Sequence, residues 1–154
     1  MRSMTATRRL IGALAFLSAL GWAGQAHAQL GAGTTWLRTD AAGKGIVMTL
    51  EACCNGGLRF IYRIPAMSGQ PASTMTVDSP MNGTDAPALV DGKPSGETMA
   101  VKKVDDHHYS AIVKMNGKPF GTSNGTVSAD NKTMTVESIY GTGGQKTIET
   151  WVRK

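Results

Sequence analysis

The sequence lacks both a membrane-spanning apolar run and the apolar period of amphipathic helices. Its longest apolar stretch, residues 10–22, has 13 residues, whereas a helix needs about 20 to cross the hydrocarbon core. After this stretch no segment repeats apolar residues at helical spacing over several turns. Neither a retained membrane anchor nor a helical fold is therefore expected.

The first 28 residues have the order of a secretory signal peptide. Arg2, Arg8 and Arg9 provide positive charge without an acidic residue, the apolar stretch follows, and the small-residue tripeptide ending at Ala28 is typical of a cleavage site. We expect residues 1–28 to be removed and the mature protein to be exported, either to the periplasm or out of the cell. The adjacent arginines leave twin-arginine export open beside the ordinary route.

The remaining residues, 29–154, also lack a large excess of charge of either sign. The signal segment contains three of the 16 basic residues, so the mature chain has 13 basic and 11 acidic residues. Its internal basic pair, Lys102 and Lys103, has no aromatic stacking platform beside it. Nucleic acid is therefore not an expected partner, and the mature chain has the length of a single domain.

Strand-forming sequence divided by turn residues is abundant instead. Short runs rich in β-branched and aromatic residues recur, bounded by Gly, Asn, Asp or Pro. The dipeptide Asn116-Gly117 favours a tight hairpin because both residues tolerate positive φ angles. The predicted strands cover residues 35–38, 45–53, 58–64, 73–78, 98–104, 108–115, 120–128, 132–140 and 146–153.

The segment 65–96 is the least regular part of this pattern. Pro71, Pro80, Pro87 and Pro94 all lie in it, and proline is excluded from central strand positions because it cannot donate to the hydrogen-bond ladder. We expect a long loop here.

The number of strands predicts a closed architecture. A long open sheet would expose edges that invite aggregation, so the strands must close on themselves or stack as two sheets. We predict an all-β fold, namely an antiparallel up-and-down barrel of about eight strands that follows the cleaved signal peptide.

Several short motifs in the second half carry a resemblance to a known family. They are VKKVDD at 101–106, KMNGK at 114–118, GTS at 121–123 and SADNKTMTV at 128–136, together with the opening GTTW at 33–36. This set resembles a family of small exported bacterial proteins with a lipocalin-like β-barrel, most of which have no assigned function. The resemblance implies a lipocalin-like fold more than an activity.

The one catalytic motif in the chain does not fit its context. Residues 121–125 match the nucleophile-elbow pattern G-x-S-x-G around Ser123, but no histidine follows it and no helical pattern begins there. Because no convergent acid, base and nucleophile can be assembled, we do not expect an enzyme.

Metal binding has two candidate signals, and both have a simpler interpretation. Asp105, Asp106, His107 and His108 are consecutive, but adjacent residues of a strand face opposite ways, so a polar hairpin tip is the expected role. The seven methionines after the signal form no tight cluster that would suit copper, and they are expected to fill the core or a pocket. We expect no metal and no cofactor.

Cys53 and Cys54 are the only cysteines in the sequence. Neighbouring Cα atoms lie about 3.8 Å apart, closer than is usual in a disulfide, so a bridge between them is strained. Export to an oxidising compartment nevertheless favours oxidation. A vicinal disulfide, two unpaired thiols and intermolecular bridges all remain open.

The mixed character of the strand faces suggests a function. Ser138 shares its face with apolar residues, a combination that suits a cavity for a small amphipathic or apolar ligand better than a fully packed interior. We expect a non-enzymatic binding protein. The alternative is a structural or interaction protein of the cell envelope with a packed barrel and no ligand. The candidate ligand-binding residues are Tyr109, Met115, Met134, Val136 and Tyr140.

Overall fold

The computed structural model describes residues 30–67 and 69–154, so the predicted signal peptide lies outside the described residues. In the described part of the chain no helix has the length and apolarity that a membrane span requires. The described residues form ten strands: β1 Thr34–Arg38, β2 Val47–Cys53, β3 Gly57–Ile64, β4 Ser73–Ser79, β5 Ala86–Val90, β6 Lys93–Lys103, β7 His108–Met115, β8 Lys118–Val127, β9 Thr133–Tyr140 and β10 Gln145–Arg153.

The strands form a closed antiparallel barrel in which each strand pairs with its neighbours in sequence. The first and last strands close it: Trp36 of β1 pairs with Arg153 of β10, and Arg38 pairs with Trp151. The all-β fold, the antiparallel arrangement and the closure are therefore confirmed. The expected number of about eight strands was wrong, because the barrel has ten.

Among the described strands, β5 is the one that none of the nine predicted strand segments covers. It lies in the proline-rich segment, where the expectation of a long loop was wrong. Besides β4, which was predicted, β5 and the first four residues of β6 lie within it. Pro87 precedes Ala88, the first residue that β5 pairs with β4, and a register shift between β5 and β6 begins directly after Pro87. Pro87 has no N–H to donate, but it lies at the end of the hydrogen-bond ladder between β4 and β5 and beside a bulge, where proline is tolerated.

The two ends of the barrel differ. The closed end carries the turns after β2, β4, β6 and β8, and the open end carries the turns after β1, β3, β5, β7 and β9. Interior side chains toward the closed end are inaccessible: Trp36 and Leu50 are 0 % exposed, and Val77 and Val127 are 1 % exposed. The main hydrophobic core therefore fills this half of the barrel.

Residues 30–33, directly before β1, cover the closed end. Leu30 is buried, and its backbone N–H donates a hydrogen bond of 2.7 Å to the Tyr109 hydroxyl. Thr34 Oγ1 donates to the Gly31 carbonyl at 2.8 Å and accepts from Trp36 Nε1 at 3.1 Å. These bonds satisfy polar groups that would otherwise be buried without partners, which would cost about 1–3 kcal/mol each.

Candidate ligand cavity

A cavity of about 270 Å³ occupies the barrel interior between the core and the open end. Its volume lies just below the roughly 300 Å³ at which small-molecule pockets usually begin. Met48, Phe60 and Val101 belong to its apolar wall, whereas Arg38 and Glu149 add charge toward the open end. The cavity is therefore amphipathic along the barrel axis.

Four of the five candidate ligand contacts line this cavity: Tyr109, Met134, Val136 and Tyr140. The three on β9 are separated by even intervals, so the strand alternation points them to the same side. Tyr109 projects inward from β7, and its hydroxyl is held by the Leu30 N–H at 2.7 Å. Whether these residues bind a ligand stays a prediction.

Met115, the fifth candidate ligand-binding residue, does not line the cavity. The register between β7 and β8 shifts between Val113 and Lys114, which leaves Phe120 as an extra residue on β8. The bulge lies on β8 and leaves the alternation along β7 unchanged, because Met115 pairs with Glu97 of β6 in an unshifted register and shares its face. Met115 lies outside the lining because it is the last residue of its strand. Met115 is half-buried at the end of its strand, and Phe120 packs against Tyr140 with 5.8 Å between ring centroids.

A charged network lies in the wall toward the open end. Arg38 donates to both carboxylate oxygens of Asp40, at 2.8 Å from Nε and 3.0 Å from Nη2, and its Nη1 lies 3.1 Å from Glu149 Oε1. Trp151 Nε1 donates to Glu149 Oε2 at 3.0 Å, and the Thr150 N–H donates to Asp40 at 3.1 Å. The hydrogen bonds from Arg38 hold the pKa of Asp40 below its ordinary value. The three guanidinium nitrogens are thus all engaged by carboxylates.

Glu97 is the other carboxylate of the cavity, and it has a different environment. Burial raises its pKa above the ordinary value, and among the described residues no hydrogen bond or ion pair engages its side chain. Tyr62, also at the cavity, has its pKa raised first by burial and then by the charges of Glu149 and Glu97 among others. The cavity therefore contains an unpaired acidic group close to an aromatic ring.

Regular alternation along β6 places Glu97 on the inward face, because it lies two residues from Met99 and four from Val101, which both line the cavity. A bulge lies directly before it. Pro87 of β5 pairs with Thr98 of β6, whereas Leu89 pairs with Pro94. Two steps along β5 therefore correspond to four along β6, so β6 contains extra residues here. The bulge includes Gly96, whose φ is +82° and where a Cβ would lie 2.6 Å from Asn116 Oδ1. A residue with a side chain would be strained and crowded at this position.

A polar pair lies in the cavity wall on β8 and β9. Ser123 Oγ and Ser138 Oγ are 2.8 Å apart, and Ser138 is 1 % exposed. Ser123 thus lies in the middle of a strand and is paired with another hydroxyl, and β8 is followed by β9 rather than by a helix. This environment lacks the strand-to-helix turn that a nucleophile elbow requires.

The two histidines lie at the closed end and have different partners. His107 Nδ1 is 3.0 Å from the Val127 carbonyl, whereas His108 Nδ1 is 2.8 Å from Asp105 Oδ2. Asp105 Oδ1 also accepts the backbone N–H groups of both histidines at 2.8 Å. These hydrogen bonds, the one from His107 first, lower the pKa of Asp105. The cluster therefore has the bonding of a polar turn.

A disulfide bond joins Cys53 and Cys54 at the end of β2, with 3.8 Å between their Cα atoms. Cys54 and Asn55 both have a φ of +53°, so the turn that follows is bent. Asp78 has an oxygen within 4.8 Å of the two sulfurs, but its carboxylate accepts from Arg59 at 2.6 and 2.7 Å. In the bonded form the sulfurs are not thiolate ligands.

The sequence reasoning missed the charged part of the cavity. This part is formed by β1 and β10, which carry Arg38, Glu149 and Trp151. Alternation along β10 was the available signal, because Glu149 lies two residues before Trp151 and therefore on the same inward face of the strand. Glu97 alternates with Met99 and Val101 on one face of β6, but it was missed because the predicted strand began at residue 98 and the segment before it was expected to be a loop.

Comparison of the chain with protein-family models, with curated proteins and with solved structures gave no match.

Proposed function

We propose that this protein is an exported, non-enzymatic β-barrel protein that binds a small amphipathic or apolar ligand in its interior. The observation that carries the proposal is the cavity of about 270 Å³, with an apolar wall toward the core and polar groups toward the open end. A ligand would bind with its apolar part toward the core, because removing apolar surface from water is favourable by about 25 cal/mol per Å².

The lining supports a ligand of variable shape. Met48, Met75, Met99 and Met134 all line the cavity, and methionine side chains are flexible and adapt to irregular partners. The signal-like residues 1–28 support export to the periplasm or the exterior, and the resemblance to lipocalin-like proteins supports a ligand inside the barrel. No cofactor is part of the proposal.

A structural or interaction protein of the cell envelope is the second candidate. Large apolar side chains face outward on neighbouring strands: Ile112 is 48 %, Phe120 is 44 % and Ile139 is 49 % exposed. Such side chains would suit contact with another protein. The cavity argues against the fully packed interior that this candidate assumed.

Filling the cavity tests the proposal. Gly125 lines it, and the nearest atoms to a Cβ there would be Val136 Cγ2 at 3.8 Å, Tyr109 Cβ at 3.9 Å and the Tyr109 carbonyl oxygen at 4.0 Å, which are ordinary contacts. Gly125→Val should therefore fold and extend into the cavity. Asn124→Val is the matched control, because Asn124 precedes Gly125 on β8 and its side chain is exposed on the outer face of the barrel.

The readout is the fluorescence of N-phenyl-1-naphthylamine, a neutral apolar probe that brightens when it leaves water. We expect saturable binding to the wild type and to Asn124→Val, and at least about tenfold weaker binding to Gly125→Val, a difference of about 1.4 kcal/mol. Absence of saturable binding to the wild type, or equal binding to Gly125→Val, would refute a ligand in the barrel.

A further inference from the structure

We propose that the ligand is a cationic amphiphile, whose ammonium or quaternary ammonium head lies at the open end against Glu97 and the rings of Tyr62 and Tyr140. The inference rests on the proposed function, since it names the class of ligand that the same cavity would take.

The charges in the cavity lining do not balance. Arg38 carries the only positive charge among the described residues that line the cavity, whereas Glu97 and Glu149 give the same lining two negative charges. Since Asp40 and Glu149 already engage all three nitrogens of Arg38, an anionic head group would find no uncommitted cation. A cationic head group would reduce the excess negative charge.

Glu97 is the group that lacks a counter-ion. It is half-buried in the cavity wall, and no hydrogen bond or ion pair engages its side chain within the described residues. Taking a carboxylate out of water without a partner costs free energy, so buried carboxylates are normally paired. The backbone next to Glu97 is nevertheless fixed, because the Gly96 carbonyl accepts a hydrogen bond of 2.8 Å from the Asn116 N–H. A ligand cation would supply the missing partner.

Aromatic rings add a second preference for a cation. The Tyr62 ring centroid lies 6.2 Å from that of Trp151 in an edge-on arrangement, and Tyr140 lines the same cavity. Ring faces attract ammonium groups by about 0.5–2 kcal/mol. Arg38 already lies 6.0 Å from the Trp151 ring centroid. Tyr62 stacks on Phe60 at 6.4 Å and Tyr140 packs against Phe120 at 5.8 Å between ring centroids, so a ligand cation would contact the part of each tyrosine ring that lines the cavity.

Overall composition does not account for this negative site. Residues 29–154 have more basic than acidic residues, 13 against 11, yet the cavity has the opposite balance. Lysines do lie near the open end, such as Lys93 and Lys118 at the first positions of β6 and β8, but they are exposed and do not line the cavity. The negative balance is therefore a property of the cavity lining.

Displacement of bound N-phenyl-1-naphthylamine by three amphiphiles of equal chain length tests the inference. The competitors are octyltrimethylammonium, 1-octanol and octyl sulfate, each used below its micellar concentration. For the wild type we expect octyltrimethylammonium to displace the probe at about tenfold lower concentration than 1-octanol, and octyl sulfate to be the weakest competitor.

The decisive variant is Glu97→Gln, which keeps the shape of the side chain and removes its charge. We expect the advantage of octyltrimethylammonium over 1-octanol to fall to within about twofold, whereas displacement by 1-octanol is unchanged. Glu51→Gln is the matched control, because it makes the same change in net charge on an exposed residue outside the cavity. It should behave like the wild type.

The outcomes separate the two proposals. If the wild type binds the probe and 1-octanol but shows no preference for the cation, or prefers octyl sulfate, the cationic ligand is refuted and the binding cavity stands. The same holds if Glu97→Gln keeps the full preference for the cation. If the wild type binds neither the probe nor any competitor, the binding function itself is refuted.

Discussion

Replacing Arg38 by methionine tests whether the charged network in the cavity wall holds the barrel together. The side chain of Arg38 is 15 % exposed and those of Asp40 and Glu149 are 16 % and 19 % exposed, so the three groups are largely removed from water. Arg38→Met keeps the apolar stem of the side chain but leaves two carboxylates with their cation missing. Because an uncompensated buried charge is costly, we expect strong destabilisation.

The magnitude follows from comparison with a second arginine–aspartate pair. Breaking a fully buried pair costs about 3–5 kcal/mol, and partial exposure here reduces that to about 2–3 kcal/mol. Arg59 makes a similar bidentate contact with Asp78, but these side chains are 45 % and 46 % exposed. An exposed pair contributes at most about 1 kcal/mol, so Arg59→Met is the control.

Urea unfolding of the wild type and both variants measures the difference, and pH provides a further check. The contact with Arg38 lowers the pKa of Asp40 from its ordinary 3.8, so its stabilising contribution is present above that value and is lost as the pH falls through the folded-state pKa. The deficit of Arg38→Met should therefore shrink below about pH 4. Equal losses in Arg38→Met and Arg59→Met, or a deficit that does not change with pH, would show that the network does not stabilise the fold.

Three further predictions concern the closed end, the cavity acid and the cysteines. Tyr109→Phe leaves the buried Leu30 N–H without its acceptor and should cost about 1–3 kcal/mol in urea unfolding; a loss within error of zero would contradict this role. Burial raises the pKa of Glu97 from 4.5, so ionisation penalises the folded state as the pH rises through the folded-state pKa. Glu97→Gln should accordingly melt at a higher temperature than the wild type at pH 7, with a smaller difference at pH 4, and a lower melting temperature at pH 7 would contradict this. With Cys53 and Cys54 bonded to each other, the native protein should take up no thiol reagent until it is reduced, and intact mass spectrometry would reveal immediate labelling if the thiols were free.

The local part of the fold was accessible from the sequence. Asn116 and Gly117 adopt φ angles of +49° and +76°, as expected of a tight hairpin whose residues tolerate positive φ. Met134, Val136 and Tyr140 share the inward side of β9 because side chains alternate along a regular strand. Turn chemistry and alternation depend on residues close in sequence, so a single chain reveals them.

The sequence by itself thus determined the all-β character and antiparallel closure, but only the tertiary structure decided the strand number and the site. Closure brings Arg38 beside Trp151, 113 positions away in the sequence, and no local pattern reports the energy of such a contact. Met115 and Glu97 pair with each other and share a face, yet only Glu97 lines the cavity, because alternation along a strand does not show how far along it a cavity extends. The partial burial of the unpaired Glu97 carboxylate likewise depends on every strand around it, so the acidic lining of the cavity emerged only from the closed barrel.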